Sequence, residues 1–302
     1  MQSLNSRNLW SKVIDTTQKA LDCGALQPIP TSYELIEQKG ISFIVRIVDN
    51  IKRKEKDKKQ KQQESKAKGK DFNPFLPYEQ DLFVGDLTET HLCLLNKFNV
   101  VDYHLLIVTR VFEEQEDWLN LADFEAMQVV LAEIDGLAFY NGGKLAGASQ
   151  RHKHLQVVPL SLVEGETNLP IAPAIETAVF EGEIETIPAF SFCHALAKLD
   201  PNASAKDILE TYHQLLKAVG LIGDRTEGNK QTGDYNLLAT KEWMLVVPRT
   251  AEEFQGIGIN SLGFAGAILV RDRSSLKILK KYNPLKLLEN VAQPRKMTNI
   301  NH

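Results

Sequence analysis

The sequence predicts an α+β fold: one chain of two fused units with antiparallel sheets and helices packed on them. Three observations carry this expectation. Runs such as Ile41 to Val48 (ISFIVRIV) and Tyr103 to Thr109 (YHLLIVT) have the length and the β-branched or apolar content of strands. Asp207 to Val219 (DILETYHQLLKAV) instead repeats its apolar residues at helical spacing. Finally, His91 to Arg110 (HLCLLNKFNVVDYHLLIVTR) is echoed by Tyr235 to Arg249 (YNLLATKEWMLVVPR), as a duplicated unit would require. At 302 residues, 43% hydrophobic and 25% charged, the chain can hold one large domain or two fused smaller ones, and neither a disordered nor a fibrous protein fits.

The elements follow in order. Leu9 to Leu21 predicts a helix on the apolar points Leu9, Val13 and Leu21, and Gly24 ends it. Ile41 to Val48 is the first strand. Asn73 to Gly85 (NPFLPYEQDLFVG) is rich in turn residues with apolar anchors, and should close one end of a cleft. His91 to Phe98 and Tyr103 to Thr109, joined by a short link, should pair as an antiparallel hairpin. A helix is expected from Asp123, read as an N-cap candidate, and then a strand over Leu137 to Tyr140. In the second half, the helix from Asp207 precedes a hairpin over Asn236 to Pro248. The units are expected to divide as residues 1–160 and 161–302 of a single chain, the second completing the cleft that the first begins.

Charge is unevenly spread. Lys52 to Lys70 carries ten Lys/Arg against three acids, a net of +7 that leaves −11 for the remainder. A run this polar cannot bury a core and is expected to be a solvated loop (52–70), with attraction of a polyanionic substrate as the functional alternative. It lacks the interleaved aromatics or reading helix of a nucleic-acid module, so no nucleic-acid partner is expected. No stretch approaches the roughly 18 apolar residues of a membrane span, and the N-terminus has no signal-peptide core, so a cytoplasmic protein without a membrane partner is expected. Cys23, Cys93 and Cys193 are odd in number and far apart, offering neither a disulfide framework nor a CxxC zinc half-site.

The densest chemistry lies at His152-Lys153-His154-Leu155-Gln156, behind the Gly- and Ser-bearing stretch Tyr140 to Gln150 (YNGGKLAGASQ). Side chains alternate along a strand, so His152, His154 and Gln156 should share one face while Lys153, Leu155 and Val157 share the other. Two imidazoles and an amide beside backbone that can approach a phosphate point to nucleotidyl transfer through a phosphohistidine-type intermediate. A His-x-His pair is also good zinc geometry. With no CxxC partner, hydrogen bonding is the preferred role for His152, and no metal site is assigned. His91, His104 and His194 have no partner spacing and are read as satisfied or surface histidines. Trp118 and Trp243 are read as packing residues, as are Phe43 and Phe98, although the two phenylalanines are also candidates for an adenine pocket.

The string FYNGGKLAGASQRHKHLQVVPL resembles the catalytic segment of the diadenosine tetraphosphate phosphorylases, also called ATP adenylyltransferases. These form a branch of the histidine triad superfamily related to galactose-1-phosphate uridylyltransferase. NPFLPYEQDLFVG, LLNKFNVVDYHLLIVTR, YNLLATKEWMLVVPR and INSLGFAGAILV match in the same order, so the resemblance runs from about Phe43 to about Val270. It implies two fused histidine-triad-like units and a reversible phosphorolysis of diadenosine tetraphosphate (Ap4A) to ATP and ADP. It implies His154 as the nucleophile that carries AMP, with Gln156 donating to phosphoryl oxygens and His152 shaping the site. Substrate contacts are implied for Lys54, Asn96, Lys97, Asn141, Gly147, Ala148, Ser149, Gln150, Asn260, Ser261, Leu262, Gly266 and Arg271. No covalently bound cofactor is expected in the resting state. Mg²⁺ would enter with the polyphosphate, and the two units in one chain favour a monomer whose partners are diadenosine polyphosphates, ATP, ADP and phosphate.

Other readings share these residues. A hexose-1-phosphate uridylyltransferase would use the same nucleophile and glutamine, but Arg151 and Lys153 stand where its motif has prolines. A dinucleoside polyphosphate hydrolase would have a third histidine at Gln156. A non-enzymatic nucleotide or nucleic-acid binder would use the basic run and leave His154 idle.

Overall fold

The computed structural model describes residues 8–48, 73–163, 165, 168–178, 182–223 and 228–295; Lys54 and the basic run lie outside the described residues. Helix α1 (Leu9–Asp22) buries Leu9, Val13 and Ala20. Leu21, expected on that face, is exposed, and Ala20 takes its place. The backbone N–H groups of Leu9 and Trp10, which have no partner within the helix, donate to Glu133 Oε2 at 2.7 and 3.4 Å. A carboxylate from a distant helix thus caps α1 and meets the positive end of its dipole.

Strands β1 (Thr31–Gln38) and β2 (Ile41–Val48) form a hairpin whose two turn residues, Lys39 and Gly40, both have positive φ. That is the turn geometry which matches strand twist. β1 was not foreseen: it alternates between half-buried and exposed, with little apolar signal, because it is the edge of a small three-stranded sheet.

The main sheet begins with β3 (Phe83–Asp86), β4 (His91–Leu95) and β5 (Leu105–Thr109), the last two being the expected hairpin with shorter strands. Helix α2 (Leu121–Glu133) follows, then β6 (Gly136–Gly142) and β7 (His154–Pro159). A short helix α3 (Ala172–Glu176) leads to β8 (Ile184–Glu185), β9 (Ala195–Lys198), helix α4 (Ala205–Ala218), β10 (Tyr235–Ala239) and β11 (Trp243–Pro248). Both of these helices start two residues before the expected aspartates. Asn120 and Ser204 are the caps, while Asp123 and Asp207 sit three residues later and bond back to the cap N–H, completing capping boxes.

These strands form one nine-stranded sheet in the order β3-β4-β5-β7-β6-β10-β11-β9-β8, every neighbouring pair antiparallel. The chain order repeats: hairpin, helix, strand pair (β4, β5, α2, β6, β7), then the same again (β8, β9, α4, β10, β11). The two halves meet at β6 and β10, where Asn141 lies opposite Asn236. This corrects the internal echo. The Tyr235 hairpin is topologically the counterpart of β6 and β7, not of the His91 hairpin, whose counterpart is β8 and β9. Apolar hairpins look alike in sequence; their place relative to the helix tells them apart.

After β11 come a small hairpin of β12 (Glu253–Phe254) and β13 (Ile257–Gly258), helix α5 (Ser261–Phe264) and β14 (Ala267–Val270), then α6 (Arg273–Tyr282) and α7 (Pro284–Val291). β14 pairs in parallel with β2, so a strand from the first 160 residues is joined to one from the last hundred or so.

Two cores sandwich the sheet. On one face α1, α2 and α4 bury Leu155 and Val157 together with Ile107, Tyr140 and Leu237. On the other, β2, α5, α6 and α7 cover Phe139, Leu238 and Leu245. A third, small cluster on that second face holds Leu92, Leu94, Leu106 and Val108 under Phe75. His154 lies opposite Val108, and Gln156 opposite Leu106 and Phe139, so both side chains emerge where the large cover gives way to the small one.

Candidate active site

β7 distributes its side chains as alternation dictates. Lys153 turns to the helical face, where its Nζ lies 2.9 Å from Asp123 Oδ2, Glu113 Oε2 and the Trp118 carbonyl oxygen. Asp123 is itself fully buried and also receives His91 Nε2 at 3.0 Å. Burial alone would raise the Asp123 pKa. The His91 hydrogen bond, the Lys153 charge and the Asn120 N–H outweigh it and hold the carboxylate ionised below its usual range. One residue thus ties the start of α2, the start of β4 and the approach to β7.

On the opposite face stand the two histidines. His152 precedes the strand proper, in an isolated bridge with Glu114. Its ring is held at both nitrogens: Asn73 Nδ2 lies 2.9 Å from Nδ1, and Nε2 is 2.8 Å from the Thr109 carbonyl oxygen. Asn73 Oδ1 is occupied by the Phe75 N–H, which leaves its amide nitrogen as the donor to His152. The His152 ring is therefore held in place by hydrogen bonds at both nitrogens. Phe75 packs against both rings, 5.7 Å from His152 and 5.2 Å from His154, so the turn-rich segment after residue 72 closes one end of the site.

His154 is buried, and its Nδ1 lies 2.8 Å from the carbonyl oxygen of His152, two residues back. A carbonyl can only accept, so Nδ1 carries the proton and Nε2 is left with its lone pair. Burial pushes the pKa of this ring down to about 4, with the nearby His152 adding to the effect and the carbonyl opposing it. At neutral pH His154 is an uncharged imidazole of fixed tautomer.

Its backbone is fixed by a residue that carried no sequence signal. The β6–β7 ladder ends at the pair Phe139–Gln156, before His154. There the Gln115 side chain enters between the strands. Its Oε1 accepts from His154 N at 2.9 Å, and its Nε2 donates to His154 O at 3.2 Å and Asn141 O at 3.0 Å. Within the acidic string EEQED, Gln115 reads as a solvated loop residue; only the fold shows that it is buried.

Gln156 and Asn96 are joined through His104. Asn96 Nδ2 is 3.1 Å from His104 Nδ1, and His104 Nε2 is 3.0 Å from Gln156 Oε1. His104 is thus satisfied, as expected, but by a predicted site residue on each side. Lys97 is paired with Glu79 at 2.5 Å, a partner that a polyphosphate would have to replace.

The second half of the chain supplies the other wall. Asn141 Oδ1 is fully engaged by Asn236 Nδ2 at 2.9 Å, Ser261 N at 3.0 Å and Ser261 Oγ at 2.8 Å. Asn236 also donates to the Ala146 carbonyl at 2.8 Å, and Arg249 donates to Asn236 at 2.5 Å. The loop after β6 wraps the Asp234 carboxylate, which accepts from Leu145 N at 2.5 Å. A Cβ on Gly143 would fall 2.5 Å from that carboxylate, and Gly147, with φ +90°, lies against Asn260 and the Ile259 carbonyl. Asn141 and Ser261 are therefore buried supports for two segments, one carrying Gly147, Ala148, Ser149 and Gln150 and the other Asn260 and Leu262, which approach closely at Gly147 and Asn260. Ser149 and Asn260 are exposed and the other four half-buried, so this edge faces outward.

Two predicted residues lie apart from this network. Gly266, with φ +93°, forms the turn into β14, and its added Cβ would meet Pro170 at 2.5 Å. Arg271 is exposed just past β14, and because β14 runs parallel to β2 it emerges beside the end of β2. Phe43 and Trp243 are core residues, and Trp118 packs on Tyr235 at 5.8 Å.

Comparison with known proteins agrees with this geometry. Residues 1–177 match the Ap4A phosphorylase N-terminal domain family, and residues 188–294 match the ATP adenylyltransferase C-terminal domain family. The chain is similar to diadenosine 5',5'''-P1,P4-tetraphosphate phosphorylase 2 of Saccharomyces cerevisiae, 32% identical over 239 residues, covering 68% of this chain and 71% of the relative. It is similar also to Protein APA1 of the same yeast, 31% identical over 217 residues, covering 66% and 67%. The crystal structure of yeast Ap4A phosphorylase Apa2 superposes with a TM-score of 0.78 at 26% identity, covering 97% of both chains. A second crystal structure of Apa2, in complex with Ap4A, gives 0.77 at 24% identity over 96% of this chain and 99% of that one, a likeness of fold. With its α+β, histidine-triad-like fold and its buried, neutral histidine beside a glutamine, the chain belongs to the Ap4A phosphorylase family of nucleotidyltransferases.

Proposed function

We propose that the enzyme catalyses the reversible phosphorolysis of Ap4A, in which Ap4A and phosphate give ATP and ADP, by two displacements at one α-phosphorus. The observation that carries the mechanism is the bond from His154 Nδ1–H to the His152 carbonyl, which leaves Nε2 unprotonated in a ring whose pKa burial has lowered to about 4. Nε2 attacks the α-phosphorus, and the bond to the bridging oxygen breaks with its electron pair, releasing ATP. AMP is then held on Nε2 of a ring still protonated at Nδ1, so the ring is cationic and a good leaving group. The carbonyl dipole of His152 stabilises that charge. A phosphate oxygen attacks next, ADP departs and neutral His154 is restored. Splitting one displacement into two is the usual gain of covalent catalysis.

Gln156 donates its amide hydrogens to the nonbridging phosphoryl oxygens, where charge builds in the transition state. Ser149, Gln150, Asn260 and Leu262 edge the phosphate path, and Lys54, Lys97 and Arg271 oppose its charge. Mg²⁺ arrives as part of the substrate and is held by its phosphate oxygens. Among the described residues no group of three or more His, Cys, Asp or Glu side chains could hold an ion. Both units reside in one chain, so a monomer suffices. The relatives' printed names, a diadenosine tetraphosphate phosphorylase and an Ap4A phosphorylase solved with Ap4A, support the choice of substrate.

The test is to incubate the protein with Ap4A and Mg²⁺, with and without phosphate, and to resolve the nucleotides. ATP and ADP in equal amounts, turning over only with phosphate, is the expected outcome. ATP and AMP formed without phosphate would make the protein a hydrolase, and no reaction would sink the reading.

A further inference from the structure

His104 stands one residue before β5, on the same face as Gln156, and was not among the residues assigned to the chemistry. Its environment fixes its tautomer. Asn96 Oδ1 accepts from Phe98 N at 3.4 Å, which turns Asn96 Nδ2 toward His104 and makes it the donor to Nδ1 at 3.1 Å. An Nδ1 that accepts leaves the ring proton on Nε2. That N–H can only donate, and the atom it reaches, at 3.0 Å, is Gln156 Oε1. A glutamine amide has two chemically opposite ends, and nothing in its own rotamer preference distinguishes them. Here the carbonyl end is taken by His104, and among the described residues none accepts from Gln156 Nε2.

We propose that the Asn96–His104 pair is a positioning device that holds Gln156 with its NH₂ end, rather than its carbonyl, toward the phosphoryl group. The inference rests on the reading that Gln156 donates to phosphoryl oxygens. Were the amide free to rotate, part of the population would present a carbonyl oxygen to an anionic phosphate. Such an orientation repels the charge that the NH₂ end stabilises. Burial keeps the imidazole neutral, its pKa pushed down to about 4, so the same donor is present across the working pH range. The second half of the chain shows the same position put to another use. His194 also stands one residue before its strand, β9, but its Nε2 accepts from Ile187 N at 2.7 Å and its Nδ1 lies 2.9 Å from the Phe192 carbonyl. It is consumed by its own backbone and orients no side chain.

The test uses two polar replacements of His104 that differ in where they put the donor. In His104→Gln the amide nitrogen falls near the position of imidazole Nε2 and can still reach Gln156. In His104→Asn it falls near Nδ1 and cannot. Release of ATP from Ap4A in a single turnover should be slowed at least about tenfold in His104→Asn, with KM changed less than about threefold, and should lie within about threefold of wild type in His104→Gln. Combining His104→Asn with Gln156→Ala should be no slower than Gln156→Ala alone, because His104 acts through the amide. Equal rates for the two His104 variants, or losses that multiply in the double variant, would overturn the proposal. Thermal melting of each variant separates a folding defect from a kinetic one: a slow His104→Asn that melts like His104→Gln is a positioning effect. If Gln156→Ala itself runs at the wild-type rate, the role of Gln156 fails; if it is slow while His104→Asn is not, only the role of His104 fails.

Discussion

A single hydrogen bond decides the chemistry of His154. With Nδ1 committed to the His152 carbonyl, the ring has one lone pair to offer. Replacing His154 by Ala should therefore remove nearly all turnover without unfolding the protein. Replacing Gln156 by Ala should slow transfer by roughly 10²-fold, the scale of losing one transition-state donor. A His154→Ala protein keeping more than about a tenth of the wild-type rate would place the nucleophile elsewhere. The lowered pKa adds a second prediction. The burst of ATP from Ap4A should stay level from pH 8 down to about 5.5 and fail only as His154 gains its proton near pH 4. A limb at pH 6.5, the ordinary imidazole value, would mean that the ring is solvated. At this scale the sequence was informative about the motif, since strand alternation alone puts His154 and Gln156 together. It was silent on Gln115, Asn73 and His104, whose roles depend on partners 26 to 79 positions away.

Among the elements, β7 is held at its N-terminal end by β5 on one side and, on the side where the β6 ladder has ended, by a side chain. Gln115 replaces the ladder there, bonding three backbone groups of His154 and Asn141. Gln115→Leu keeps the volume and leaves those buried groups unsatisfied. It should destabilise the protein by on the order of 3 kcal/mol and lower kcat more than it raises KM, read by urea unfolding and steady-state rates. Unchanged stability together with unchanged kcat would show that the clamp is dispensable. The elements that the sequence announced were those with a strong period or dense β-branching, such as β2, the β4–β5 hairpin and the β10–β11 hairpin. β1 escaped because an edge strand with mixed exposure has no apolar alternation to read. The starts of α2 and α4 were displaced because in a capping box the aspartate is the more conspicuous residue, while the cap is a plain Asn or Ser.

At the scale of the whole molecule, two half-sheets meet at β6 and β10, and each supplies what the other lacks. The first carries His154, the proposed nucleophile; the second, through Asp234 and Asn236, holds the loop that follows β6. Duplication was legible in the recurrence of apolar hairpins, but which hairpin matched which required the topology. The same burial that tunes the site makes stability depend on pH. His104, His154 and His194 each have a folded pKa lowered to about 4 by burial. Unfolded, they would titrate near 6.5. Because the folded values are depressed, their contribution is complete above about pH 6.5 and is lost as pH falls toward 4. The urea midpoint should therefore drop steadily from pH 6.5 to 5, with about three extra protons taken up on unfolding from these residues. A midpoint independent of pH over that range would show that the rings are not buried neutral. The account as a whole turns on an adenylylated histidine. The direct measurement is to mix the protein with Ap4A labelled at an α-phosphorus, omit phosphate, quench in alkali and locate the label on the chain. The predicted result is AMP on His154, stable to base, released by acid, discharged as ADP when phosphate is added before the quench, and absent from His154→Ala. Full phosphorolysis with no labelled protein, or label on another residue, would contradict it.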